Sequence, residues 1–127
     1  MKLLLDTNAL IWWLEDNARL GPRARQHLAN PANLVLASIV SLWEISVKWR
    51  VGKLHLPGTA FAGLLSEQGV DLIGVETAHL AALEGLPLHH GDPFDHLLLA
   101  QAMVEEATIL TSDREMTNYG IPCIGVA

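Results

Sequence analysis

Short continuous apolar runs alternate along this chain with longer stretches whose apolar residues recur every three or four positions. The runs predict buried strands and the stretches predict helices. KLLL at 2–5 is the first strand, and TNALIWWLED follows it at once as a helix. Gly21-Pro22 opens a second helix with Arg19, Arg23 and Arg25 on one face, and Asn30-Pro31 closes it. LVLA at 34–37 is a second buried strand. SIVSLWEISVKWRVG at 38–52 is helical, with Ile39, Leu42, Trp43, Ser46 and Val47 in step and Gly52 as its C-cap. Leu56-Pro57-Gly58 is punctuation before a helix from Thr59 to Gln68. DLIGV at 71–75 gives a third strand and ETAHLAALEG a short helix. LPLHHGDP is a loop, and PFDHLLLAQAMVEEA is the most apolar helix. TILTSD at 108–113 is a fourth strand with its exit, and after a helical turn IPCIGV is the fifth.

Strands and helices alternate without a linker, repeat or low-complexity stretch, so residues 1–127 are expected to form one α/β domain. Its architecture is a mostly parallel central sheet of about five short strands flanked by helices. With 127 residues and 50% hydrophobic content, the chain can bury a core without disulfides or structural metal. Cys123, the single cysteine, forms no internal disulfide and is expected as a small core residue. No apolar run approaches the roughly 18 residues of a membrane span. MKLLLDTN is too short for a signal peptide, so a cytoplasmic location without membrane contact is the expectation.

Charge changes the picture. Eight basic and 14 acidic residues give −6, which by itself argues against a nucleic-acid partner. Residues 1–53 carry seven basic and four acidic residues, or +3; residues 54–127 carry only Arg114 against ten acids, or −9. Parallel α/β sheets bind ligands beyond the carboxyl ends of their strands. Asp6 and Asp113 follow the first and fourth strands directly, Asp95 lies in the first turn of the most apolar helix, and Glu44 sits inside the helix after the second strand. Each has a purely structural reading. Asp6 can cap its helix, Asp92-Pro93-Phe94-Asp95 is a capping arrangement, Asp113 can be a first-turn acid, and Glu44 can pair with Lys48. Caps and pairs do not predict the joint pattern, in which two acids leave strands at one sheet edge and two more border it. Clustered carboxylates repel, and a hard divalent cation relieves them. Without these four acids the net charge is −2, and an approach by phosphodiester is no longer opposed.

The sequence around these acids resembles the PIN-domain ribonucleases and, within them, the VapC-like toxins of toxin–antitoxin pairs. LLLDTNALIWWL is similar to the family's opening strand and helix, with Asp6 as first ligand supported by Thr7 and Asn8. SIVSLWEISVKWRVGKLHLP carries Glu44, HHGDPFDHLLLAQA carries Asp95, and TILTSDREMTNYGIP carries Asp113 with Ser112 beside it. The four blocks occur in family order over nearly the whole chain. The resemblance implies a PIN-like fold and a Mg²⁺- or Mn²⁺-dependent endoribonuclease in which Asp6, Glu44, Asp95 and Asp113 hold metal and metal-activated water attacks RNA. It also implies a homodimer and a small cognate antitoxin that inserts into the active-site groove. Gly91 and His96 stand where relatives often carry arginine. Lys48, Arg50, His96 and Arg114 are then the candidate RNA contacts, His96 by conditional charge near neutrality. The competing reading is a catalytically weak or inactive PIN-fold binding or regulatory protein.

Other features carry less. His89 and His90 have no companion ligands at zinc spacing and are expected as a solvated loop pair. Trp12 and Trp13 point in different directions, one to the core and one toward a partner. Ser38 and Ser41 have no activating histidine near in sequence. A phospho-receiver needs a late lysine, and none follows Lys53; an aspartyl phosphatase wants a second acid where Asn8 stands.

Overall fold

The computed structural model describes all 127 residues. The chain runs β1 (Lys2–Leu5), α1 (Thr7–Leu14), α2 (Pro22–Ala29), β2 (Leu34–Ser38), α3 (Ile39–Arg50), α4 (Gly58–Glu67), β3 (Asp71–Ile73), α5 (Thr77–Glu84), α6 (Pro93–Glu105), β4 (Thr108–Thr111), a 3-10 turn (Arg114–Tyr119) and β5 (Cys123–Gly125). The five strands form one sheet in the order β3-β2-β1-β4-β5, every neighbouring pair parallel. The α/β architecture expected from the apolar pattern is therefore the observed one. No helix is long and apolar enough to cross a membrane.

β1 is central because it is apolar on both faces. Leu3 and Leu5 turn to one side, where α1 and α4 cover them with Ala9, Leu10, Phe61 and Leu65. Leu4 turns to the other, against Leu97, Leu98 and Leu99 of α6 and Ile109 of β4. All three leucines are fully buried, as expected of a parallel strand sandwiched between helices.

The edges are less regular than the pattern predicts. β3 stops at Ile73, two residues early, and β5 pairs only over Cys123–Gly125. Both are outer strands with one neighbour, so the ladder ends where that neighbour ends. Leu34 is exposed although β2 reads as buried, because it pairs with Lys2 at the sheet's rim. Cys123 is half-buried at the edge, packing against the core without entering it. Trp12 and Trp13 are both half-buried against the same core, so neither is a core residue, and the Arg19 guanidinium sits 5.5 Å over the Trp12 ring.

The connections create the site. From β1 the chain moves outward through β2 to β3, then returns on the other side of β1 as β4. The carboxyl ends of β1 and β4 are thus where strand order reverses, the place where an open parallel sheet leaves a crevice. The register pairs Leu5 with Leu110, and the Asp6 amide donates to the Leu110 carbonyl at 2.9 Å. Residues following these two strands are brought side by side from opposite ends of the sequence.

Candidate metal centre

Asp6 is the N-cap of α1, its Oδ1 accepting the Ala9 amide at 2.7 Å. Its Oδ2 accepts the Thr111 hydroxyl at 2.7 Å and the Ser112 amide at 2.9 Å. Asp6 therefore fills the capping role and also lines the cleft described below. Even with these donors, burial pushes the Asp6 carboxyl above its ordinary range, and the Glu44 charge adds to the effect.

Glu44 is buried on α3, a helix whose N-terminus Ser38 caps by accepting the Val40 amide. The Thr7 hydroxyl donates to Glu44 Oε1 at 2.7 Å, and Lys48 Nζ pairs with Oε2 at 2.6 Å. Ser41 Oγ lies 3.1 Å from the Thr7 hydroxyl, so both serines noted in the sequence have structural partners. Asp92 caps α6, with Oδ1 accepting the Phe94 and Asp95 amides. Trp43 meets Phe94 edge-on at 4.7 Å, fixing α3 against the start of α6.

These elements enclose a cleft of about 340 Å³ lined by Asp6, Thr7, Asn8, Glu44, Lys48, Asp92, Asp95, Ser112 and Asp113, with no hydrophobic residue among them. All four acids expected to form the site line it, as do Thr7, Asn8, Ser112 and Lys48. Asn8 Nδ2 donates to Ser112 Oγ across the gap. Arg50 and Arg114 are exposed and stand outside the lining. His96 does not reach the cleft surface. It is buried behind it, 3.0 Å from His90 Nδ1 and 3.1 Å from the Tyr119 hydroxyl, which removes it from the expected RNA contacts.

Two residues exceed their sequence readings. Asp92 lines the cleft as well as capping α6; its position three residues before Asp95 puts both at the helix start. His90 is 11% exposed rather than solvated, with Nε2 3.8 Å from both Asp95 Oδ2 and Asp113 Oδ2.

Asp95 records the electrostatics. Burial, reinforced by the charges of Asp92, Asp6 and Glu44 and opposed by His90, pushes its carboxyl up to about 7. Lys48 is the single lysine or arginine among five carboxylates in the lining. Their oxygens form a hard donor set in a polar, solvent-connected cleft, which fits Mg²⁺ or Mn²⁺.

A stability consequence follows for metal-free protein. With its folded value near 7 and its ordinary value at 3.8, Asp95 holds more protons folded than unfolded between those pH values. Stability should therefore be full below about pH 4 as far as this group is concerned, and should fall as pH rises through 7. The expected loss is on the order of 2 kcal/mol after screening by the open cleft, with Asp6 acting in the same direction. Urea melts in EDTA across this range should show the decline, and added Mg²⁺ should reverse it; a flat profile would contradict the crowding of the carboxylates.

The PIN domain family matches residues 3–122 of the chain. Over 123 residues the chain is 28% identical to Ribonuclease VapC22 of Mycobacterium tuberculosis (strain ATCC 25618 / H37Rv), with 94% of this chain and 93% of that protein covered. Its fold is similar to a chain in the crystal structure of VapBC2 from Rickettsia felis bound to a DNA fragment from their promoter, with a TM-score of 0.78, 15% identity and full coverage of both chains. A toxin–antitoxin complex from Klebsiella pneumoniae gives a TM-score of 0.62 at 22% identity, covering 96% of this chain and 95% of that one. The family match takes in the four strands from β1 to β4 but for Lys2, together with all the acids of the cleft, and the chain belongs to the PIN domain family.

Proposed function

We propose that this protein is a divalent-metal-dependent endoribonuclease and the toxic member of a toxin–antitoxin pair. The observation that carries the reading is the cleft at the β1/β4 switch point, where Asp6, Glu44, Asp92, Asp95 and Asp113 converge in a lining that contains no hydrophobic residue. The names of the similar proteins, a VapC ribonuclease and toxin–antitoxin complexes, support the activity and the partner class.

Asp6, Glu44, Asp95 and Asp113 would hold Mg²⁺ or Mn²⁺. When bound, the cation supplies positive charge to the scissile phosphate and makes water a stronger acid. The protein's own groups do the rest. Thr111, the Ser112 amide and the Ala9 amide fix both oxygens of Asp6. Thr7 and Lys48 fix those of Glu44. Lys48, 43% exposed, is free on its outer side to meet a phosphate. Asn8 and Ser112 offer neutral hydrogen-bonding groups at the rim.

A small antitoxin and a second copy of the chain are the proposed protein partners. Ile39, Trp43 and Val47 are exposed at four-residue intervals along α3, with exposed Leu72 on the edge strand β3, and such apolar surface favours a protein contact.

Incubating the purified protein with structured RNA and Mg²⁺ or Mn²⁺ tests the activity. Internal cleavage is expected, abolished by EDTA and restored by excess metal. RNA left intact with metal demonstrably bound would overturn the nuclease reading in favour of a non-catalytic binding protein.

A further inference from the structure

His90 Nε2 is the one fully buried side-chain nitrogen or oxygen in the protein without a hydrogen-bond partner. An orphaned buried nitrogen costs about 1–3 kcal/mol, so its position calls for an explanation. It faces Asp95 Oδ2 and Asp113 Oδ2, each at 3.8 Å, which is too far for a hydrogen bond. It is close to the spacing at which two donors share a cation, since an ion slightly off the line between them lies about 2.1 Å from each. Glu115 joins the group: one ligand atom each from His90, Asp113 and Glu115 lie within 4.8 Å of one another. Asp113 Oδ1 accepts the Glu115 amide, leaving Oδ2 for the histidine side.

We propose that His90, Asp113 and Glu115, with Asp95 Oδ2 facing them, form a nitrogen-containing cation site at the edge of the acidic cleft, suited to Mn²⁺ and other transition divalent ions over Mg²⁺. It rests on the reading of the cleft as a metal centre and adds a ligand of a different kind. Magnesium takes oxygen donors, whereas imidazole suits first-row transition ions.

The surroundings of His90 are those of a ligating imidazole. A bare Nε2 requires the proton on Nδ1, and Nδ1 has an acceptor in His96 Nε2 at 3.0 Å, the two rings stacked at 4.9 Å. The Tyr119 hydroxyl stands 3.1 Å from the same His96 nitrogen, and its oxygen accepts the His89 and His90 backbone amides. The loop and the ring are therefore held from behind, and Nδ1 has a partner when Nε2 is bare, as the outer partners of metal-bound histidines provide.

Pulsed electron paramagnetic resonance on the intact protein loaded with Mn²⁺ tests the site without reference to RNA cleavage. Modulation from ¹⁴N of a directly bound imidazole is expected in the wild type and in His89→Ala, and should vanish in His90→Gln. Calorimetry should show Mn²⁺ affinity falling at least about tenfold in His90→Gln, with Mg²⁺ affinity changed by less than about twofold. Should His90→Gln fail to fold, ¹⁵N-histidine labelling of the wild type decides whether a histidine is bound at all. Mn²⁺ binding without nitrogen modulation, or modulation that survives His90→Gln, overturns the site while leaving the acidic cleft intact. Absence of both Mg²⁺ and Mn²⁺ binding overturns the cleft reading as well.

Discussion

Asp95→Asn is expected to lower metal-dependent RNA cleavage by at least about a thousandfold while stabilising the metal-free protein. The two effects share one cause. Asp95 sits among the charges of Asp92, Asp6 and Glu44, and its one basic neighbour in ion-pair range, His90 Nε2, is 3.8 Å away. A carboxylate so placed has no structural role to lose, since Asp92 is the residue that caps α6. Asparagine keeps the shape and removes the charge that a cation would need. At pH 8 in EDTA the variant should be more stable than the wild type by up to the roughly 2 kcal/mol that the crowded carboxyl costs. Asp6 would be a less clean choice. Its carboxylate accepts three hydrogen bonds, and its loss would cost a helix cap, about 1 kcal/mol, together with any chemistry. Cleavage by Asp95→Asn within tenfold of wild type would remove Asp95 from the site. Unchanged stability would show that the carboxylates are not in conflict.

Gly58→Ala is expected to destabilise the fold by about 3 kcal/mol, lowering Tm by roughly 10 °C. A Cβ at Gly58 would stand 2.3 Å from the Leu42 carbonyl oxygen and 2.3 Å from Ser46 Oγ. The Ser46 hydroxyl can rotate away, but the Leu42 carbonyl is helix backbone, so α4 must lift from α3. The helix it presses against, α3, is the one that carries Glu44, so metal affinity should fall along with stability. Gly63→Ala in the same helix is the control. Nothing lies within 4 Å of its added methyl, and alanine favours helix by about 1 kcal/mol over glycine. Thermal melts of the two variants should move in opposite directions; a common direction would mean that the α3/α4 approach is not the constraint.

Much of the site was legible because its acids adjoin apolar segments, where charge is costly and needs a reason. Asp6, Glu44, Asp95 and Asp113 all stood out in this way, and all line the cleft. Asp92 was hidden by its own plausibility as a cap, a role it does fill. His90 was hidden differently. A histidine pair in a polar loop gives no sign of burial until Tyr119, from the far end of the chain, gathers the loop amides. His96 misleads in the opposite sense, because its place three residues after Pro93 on a helix start suggests exposure, while His90 of the preceding loop and Tyr119 of the 3-10 turn close over it.

The sequence by itself determined the order of strands and helices, the parallel sheet and the identity of the acids. These follow from local periodicity and from the rule that an apolar strand between helices is buried on both sides. Only the tertiary structure decided which groups meet. The reversal of strand order at β1 and β4 sets Asp6 against Ser112, and the return of α6 sets Asp95 and His90 against Asp113. Distances between residues a hundred positions apart depend on how whole layers pack, and no local pattern encodes that.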